Sequence, residues 1–95
     1  MRILNFGSLN LDFVYQVAHF VRPGETLSSE ELSTFPGGKG LNQSVALSRA
    51  GAEVFHAGSV GEDGGLLLDT LREAGVSCRY VRQLAGARTG HAVIQ

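Results

Sequence analysis

The sequence has 95 residues, of which 43% are hydrophobic and 18% charged, and its formal net charge is −1. This size allows one small domain at most, and the composition is that of a globular chain rather than a disordered one. The near-zero charge gives no electrostatic support for a nucleic-acid partner or an acidic membrane surface, and no apolar run is long enough to span a bilayer. The single cysteine, Cys78, cannot form an internal disulfide and predicts a reducing, cytoplasmic location.

The first third of the chain predicts three strands. Residues 2–6 are mostly apolar and end at a Gly-Ser pair, which is typical of a short strand entering a turn. Alternation over residues 12–17 predicts a half-buried second strand. A weaker pattern over residues 26–35 predicts a third, which we expect to stop at Pro36.

Asn10 and Asp12 stand two positions apart where the second strand begins. In an extended chain, residues two apart point to the same side. Both polar side chains are therefore expected to face one pocket.

The stretch from Pro36 to Gly51 begins with a glycine-rich loop around Lys39 and continues as a predicted helix over residues 41–50. Glycine lets the backbone approach a ligand closely, and the first turn of a helix presents unpaired N–H groups. Asn42 lies in that first turn, and its side chain can both donate and accept hydrogen bonds. The stretch therefore favours a ligand rich in oxygen atoms, such as a phosphate or a polyol.

The second half of the chain alternates strands with a helix. Strands are predicted over residues 53–57, 79–82 and 90–95, and a second helix is predicted from an N-cap at Asp63 to Gly75. Helices that link successive strands imply right-handed crossovers and a parallel core sheet, so the predicted class is α/β, with the earlier strand pair as an appendage. Three core strands would leave open hydrophobic edges, so we expect the front portion of a larger domain.

Neither common phosphate fingerprint fits the glycine loop. A P-loop places Ser or Thr directly after its Gly-Lys pair, but Gly40 follows Lys39. A dinucleotide fingerprint that began at Gly38 would need glycine where Gln43 stands. A fragment of a dinucleotide-dependent oxidoreductase is therefore disfavoured, and a glycine turn with an incidental lysine stays open as an alternative.

Four segments occur together in a recognisable order: Gly7-Ser-Leu-Asn-Leu-Asp12, Pro23-Gly-Glu-Thr26, Gly37-Gly-Lys-Gly-x-Asn-x-Ser44 and Thr89-Gly-x-Ala92. They resemble the N-terminal signature of the ribokinase family of carbohydrate kinases, the pfkB type, over essentially the whole chain. The glycine loop is most similar to the form found in ribokinase itself. One departure is that the stretch between Gly61 and Gly75 is about two residues shorter than is usual in the family.

The resemblance implies a ribokinase-like fold, in which strands near 12–17, 26–35 and 90–95 form a β lid over the core sheet. It implies a sugar pocket, for ribose or a similar sugar, lined by Asn10, Asp12, Gly38, Lys39 and Asn42. It also implies ATP and Mg²⁺ as cofactors, held by residues outside this chain. Residues 1–95 would then be the sugar-binding part, with no catalytic residue, no metal ligand and no kinase activity of their own.

Alternatives stay open for the same residues. Asn10 and Asp12 can form an Asx turn after the first strand, and Asn42 can cap a helix start. The alternative function is a truncated, non-catalytic module that associates through exposed lid strands. The resemblance also implies that the lid can pair two subunits, so a homodimer is a further expectation.

The remaining candidates for chemistry are weak. His19, His56 and His91 lie far apart without metal-ligand spacing, so they are predicted to be hydrogen-bonded or exposed side chains. Glu62 and Asp63 are adjacent carboxylates, and a helix cap is favoured over a metal site there.

Overall fold

The computed structural model describes all 95 residues as two three-stranded sheets and two helices. In chain order the elements are β1 (Arg2–Phe6), β2 (Asn10–Gln16), β3 (Glu31–Gly37), α1 (Lys39–Arg49), β4 (Glu53–Val60), α2 (Gly65–Glu73), β5 (Ser77–Gln83) and β6 (His91–Ile94). The core sheet has the order β1-β4-β5 and is parallel throughout. The lid sheet has the order β3-β2-β6, with β2 antiparallel to β3 and parallel to β6. The predicted α/β class, with a parallel core and a separate lid, is confirmed.

The hydrophobic core lies between the core sheet and the two helices, which contact each other on one face of it. Leu67 and Leu71, four residues apart on α2, are completely buried, and Val54 of β4 is 2% exposed. On the opposite face, Leu4 is 64% exposed and Phe6 is 84% exposed. Parallel sheets are normally covered on both faces, so this second face of the core sheet is an uncovered apolar surface.

The lid sheet projects away from the core. The radius of gyration is 15.5 Å, whereas a compact domain of this length would have roughly 12 Å. The molecule measures 51 × 31 × 19 Å along its principal axes. Because the molecule is elongated, the position of the lid sheet relative to the core depends on the connections between the two sheets.

The predicted lid strand over residues 26–35 is wrong at both ends, because β3 runs from Glu31 to Gly37. Its first residue pairs with Gln16, the last residue of β2, so the chain before position 31 has no neighbouring strand to pair with. Pro36 does not end the strand. It lies within β3, at the edge of the lid sheet, where the missing N–H of proline is tolerated.

Several boundaries in the second half also differ from the prediction: β5 is Ser77–Gln83 instead of 79–82, and β6 is His91–Ile94 instead of 90–95. β4 continues through Gly58 to Val60, because residues 58–60 pair with β5. Helix α2 begins at Gly65 with Gly64 at the N-cap position, so Asp63 is not its cap. The glycine that follows each helix adopts the expected left-handed conformation.

Candidate functional site

The glycine loop packs directly against the turn between β1 and β2. A Cβ built on Gly40 would lie 2.5 Å from the Gly7 carbonyl carbon and 2.7 Å from its Cα. The Leu41 N–H donates to the Ser8 carbonyl at 3.0 Å, and the Gly40 N–H donates to Ser8 Oγ at 3.3 Å. Only a residue without a side chain allows this approach, which explains one of the glycines in the loop.

Two N–H groups in the first turn of α1 are therefore satisfied by Ser8, and the Asn42 N–H donates to the Gly38 carbonyl at 3.1 Å. Gly38 itself stands at the N-cap position with φ 99°, and no side chain caps the helix. The expectation of a set of free helix N–H groups for a ligand is thus only partly met. Fewer N–H groups at this helix end are therefore free for a ligand than the sequence predicted.

Asn10 and Asp12 project from the same side of β2, as residues two apart in a strand do, but Asp12 meets the glycine loop whereas Asn10 meets the segment just before β6. A Cβ on Gly37 would lie 2.6 Å from Asp12 Cγ and 2.7 Å from its Oδ1, so the carboxylate lies directly over that glycine. A Cβ on Gly90 would lie 2.9 Å from Asn10 Oδ1. Asp12 is half-buried and takes part in none of the ion pairs of the chain. Its oxygens are therefore available as acceptors for the hydroxyl groups of a ligand.

A cleft of about 740 Å³ opens at the carboxyl ends of the core strands. Asn10 and Gly90 line it from the lid side, and Ser59 of β4 and Arg82 of β5 line it from the core. In open α/β sheets, ligands bind at this edge. The cleft is therefore the candidate site, and both sheets contribute to it.

Of the five predicted site residues only Asn10 lines that cleft; the other four, Asp12, Gly38, Lys39 and Asn42, do not. Lys39 and Asn42 are exposed. Asn42 borders a different groove of about 300 Å³, together with Pro36 and Thr70. The two grooves share no lining residue, so the contribution of Asn42 to the site stays a prediction.

A buried polar network beneath the site was missed by the sequence interpretation. His56 and Ser44 are completely buried, and Ser44 Oγ lies 2.6 Å from His56 Nδ1. Burial lowers the pKa of His56, while its hydrogen bond to the Gly7 carbonyl partly opposes that shift. The available signal was the alternation in β4, which places residue 56 on the same face as the buried Val54.

Asp63 has a different role from the predicted helix cap. The Thr89 N–H donates to Asp63 Oδ1 at 2.8 Å, and the Gly61 N–H donates to Thr89 Oγ1 at 2.9 Å. The hydrogen bond from the Thr89 N–H, and after it one from the Thr89 side chain, lower the pKa of Asp63. The hydrogen bonds that Thr89 makes with Asp63 and Gly61 anchor the segment that carries Gly90 next to Asn10.

Two further findings bear on the kind of site. No group of three or more His, Cys, Asp or Glu side chains lies close enough together to hold a metal ion. Neither helix is long and apolar enough to cross a membrane.

The model of the pfkB family of carbohydrate kinases matches residues 2–95. The chain belongs to this family. The resemblance drawn from the four sequence segments is confirmed, and so is the ribokinase-like fold.

Curated pfkB relatives are similar over nearly the whole chain. This chain is 36% identical over 91 residues to a ribokinase of Haemophilus influenzae, and the match covers 94% of this chain and 30% of the relative. It is 39% identical over 90 residues to a ribokinase of Bacillus subtilis, covering 93% of this chain and 31% of the relative. The chain therefore spans about 30% of the length of these relatives.

Solved structures of ribokinases are also similar to nearly the whole of this chain. The crystal structure of ribokinase from Cryptococcus neoformans var. grubii in complex with ADP is similar with a TM-score of 0.89 and 42% identity, covering 97% of this chain and 29% of that one. The structure of Arabidopsis thaliana ribokinase complexed with ribose and ATP has a TM-score of 0.84 and 34% identity, covering 95% of this chain and 30% of that one.

Proposed function

We propose that this chain is the sugar-binding part of an ATP-dependent carbohydrate kinase that phosphorylates a hydroxyl group of ribose or a similar sugar. The observation that carries the proposal is the unpaired carboxylate of Asp12, which lies over Gly37 on the same side of β2 as Asn10. The similar Arabidopsis ribokinase was solved with ribose and ATP. The single free cysteine fits a cytoplasmic enzyme.

The polar side chains match the chemistry of a sugar. A carboxylate such as that of Asp12 can accept hydrogen bonds from two neighbouring hydroxyl groups, and such charge-assisted bonds are stronger than neutral ones. The amide of Asn10 can donate and accept, as a hydroxyl group does. Lys39 and Asn42, exposed in the first turn of α1, would complete the set, and Gly38 would let the backbone approach the ligand.

The lid sheet would act as the cover of the site. Asn10 and Asp12 belong to β2, at the centre of the lid sheet, so the same element that binds the sugar would close over it. Closure of such a cover excludes water from a phosphoryl-transfer site and completes the set of contacts.

ATP would supply the γ-phosphoryl group, and Mg²⁺ would neutralise its developing charge. This chain offers no cluster of acidic side chains for the metal. It spans about 30% of its relatives, and one face of its core sheet is uncovered. We infer that residues outside these 95 hold the nucleotide, while the residues of this chain bind and orient the sugar hydroxyl.

Isothermal titration calorimetry of the chain with ribose tests the proposal. Wild type should bind, and Asp12→Ala should weaken binding by at least about tenfold, because hydrogen bonds to a charged group contribute about 1.5–3 kcal/mol. Asp69→Ala, which removes an exposed carboxylate on α2, is the matched control and should bind as wild type does. Equal binding by both variants would exclude Asp12 from the site. No ATP-dependent phosphorylation of ribose is expected from the 95 residues alone.

The second candidate function is association through the lid. The lid sheet has two open edges, β3 and β6, and Phe35 is 51% exposed and Val93 64% exposed on these strands. Unpaired edge strands can add to the sheet of a partner. Sedimentation that shows a stable dimer, in a chain that binds no sugar by calorimetry, would favour this function over the first.

A further inference from the structure

Three polar side chains form a continuous hydrogen-bonded chain beneath the candidate site. Asn5 of β1 donates from Nδ2 to Ser44 Oγ at 2.9 Å and to the Gly40 carbonyl at 2.9 Å. Ser44 of α1 is 2.6 Å from His56 Nδ1, and His56 Nε2 is 3.0 Å from the Gly7 carbonyl. Every buried polar side-chain atom of the molecule has a partner, so this network is fully satisfied.

The two carbonyl groups at the ends of this hydrogen-bonded network fix the position of each proton. The Gly7 carbonyl can only accept, so Nε2 of His56 must carry the proton and Nδ1 must accept from the Ser44 hydroxyl. The Gly40 carbonyl can also only accept, so the amide of Asn5 supplies the bonds to it and to Ser44. A neutral His56 in one tautomer is therefore the form that the surrounding groups require.

The same two carbonyl groups belong to the two segments that flank the candidate site. Gly7 opens the turn between β1 and β2 that leads to Asn10, and Gly40 closes the glycine loop that contains Gly38. The space around the Gly7 carbonyl is tight, because a Cβ on Gly58 would lie 2.9 Å from that oxygen. The network therefore connects both segments to the middle strand of the core sheet, β4.

We propose that Asn5, Ser44 and His56 are positioning residues, which set the separation between the β1–β2 turn and the glycine loop and so hold Asn10 and Gly38 in place for the sugar. They act through backbone carbonyls and do not touch the ligand. Satisfied buried networks of this kind are rigid and specify one arrangement of the groups around them. As a statement about sugar binding the inference rests on the function proposed above, whereas its structural part does not.

The test compares His56→Phe and Ser44→Ala with Val54→Ala. The phenylalanine variant keeps an apolar ring in place of the imidazole but removes both of its hydrogen bonds. The alanine variant at position 44 removes one hydroxyl group and is the milder change. Val54 lies two residues before His56 on the same buried face of β4, is 2% exposed, and its side chain makes no hydrogen bond, so Val54→Ala perturbs packing alone.

Both network variants should weaken ribose binding by about tenfold or more, because the sugar would lose hydrogen-bond partners that the network holds in place. Val54→Ala should lower the melting temperature and leave the ribose dissociation constant within about twofold of wild type. In the free protein, the amide signals of Gly40 and Leu41 should shift in both network variants and not in Val54→Ala. Nitrogen NMR of wild type should show neutral His56 protonated at Nε2.

The inference is overturned if the network variants bind ribose as tightly as Val54→Ala, or if the amide signals of Gly40 and Leu41 stay in place. It is also overturned by a His56 that is protonated at Nδ1 at neutral pH. If wild type itself binds no ribose, the proposed function fails. The amide shifts and the tautomer then decide the positioning role without it.

Discussion

Replacing Gly40 with alanine tests the contact on which the candidate site is built. Gly40 is the second residue of α1 and is buried. An added Cβ would lie 2.5 Å and 2.7 Å from backbone atoms of Gly7. Backbone atoms cannot rotate away as a flexible side chain can, so either the start of α1 or the β1–β2 turn has to move.

Two contributions to the free energy of unfolding oppose each other in this variant. Alanine is favoured over glycine inside a helix by about 0.8–1.0 kcal/mol, whereas overpacking a close contact costs about 1–3 kcal/mol or more. Because the contact at Gly40 is with backbone, we expect the upper end of that range and a net loss of about 2 kcal/mol. A loss of that size lowers the melting temperature of a domain of 60–100 residues by about 8–16 °C.

Urea unfolding followed by circular dichroism measures this loss, with Gly65→Ala as the matched control. Gly65 is the first residue of α2, and a Cβ there would meet no atom within 4 Å. The control should therefore be neutral or up to about 1 kcal/mol more stable than wild type. If Gly40→Ala gained stability in the same way as Gly65→Ala, the glycine loop would not be in contact with the β1–β2 turn, and the geometry of the site would be refuted.

Three further outcomes are expected. Hydrogen bonds from Thr89 lower the pKa of Asp63 below its ordinary value of 3.8. The ionised carboxylate therefore stabilises the folded state above about pH 3.8, and this stabilisation is lost as the pH falls below that value. The melting temperatures of wild type and Asp63→Asn should converge on acidification. Burial lowers the pKa of His56 below 6.5, so wild type should lose stability as the pH falls below 6.5, with a steeper slope than His56→Phe in the same thermal scans. Leu67 is completely buried and Leu66 is 40% exposed, so Leu67→Ala should cost about 2–5 kcal/mol in urea unfolding, whereas Leu66→Ala should cost less than about 1 kcal/mol.

Local signals in the sequence were sufficient for the core of the fold. The Gly-Ser pair after residue 6 ends β1, and Gly51 ends α1, because each acts on the residues next to it in the chain. The register of the lid strand could not be obtained in this way. β3 begins at Glu31 only because its partner β2 ends at Gln16, and that pairing joins residues 15 positions apart.

Only part of the geometry around the candidate site could be predicted from the sequence. The period of two in a strand was enough to place Asn10 and Asp12 on one side of β2. The packing of Gly40 on Gly7 was not predictable, because it depends on how the helix start meets a turn 33 residues earlier in the chain. The role of Asp63 was missed for a similar reason, since its partner Thr89 lies 26 residues away.

Three connections join the lid sheet to the core sheet. Each connection is fixed to the core by hydrogen bonds at its base: Gly7 to His56, Gly40 and Leu41 to Ser8, and Thr89 to Asp63 and Gly61. The lid sheet beyond these anchors projects from the core, with one strand, β2, at its centre. Because Asp12 lies on that central strand while Gly38 lies at the anchored helix start, a rotation of the lid about its three anchors would change the distance between the carboxylate and the loop. A ligand that bridges them would stabilise one lid orientation, which under the function proposed above would couple sugar binding to closure.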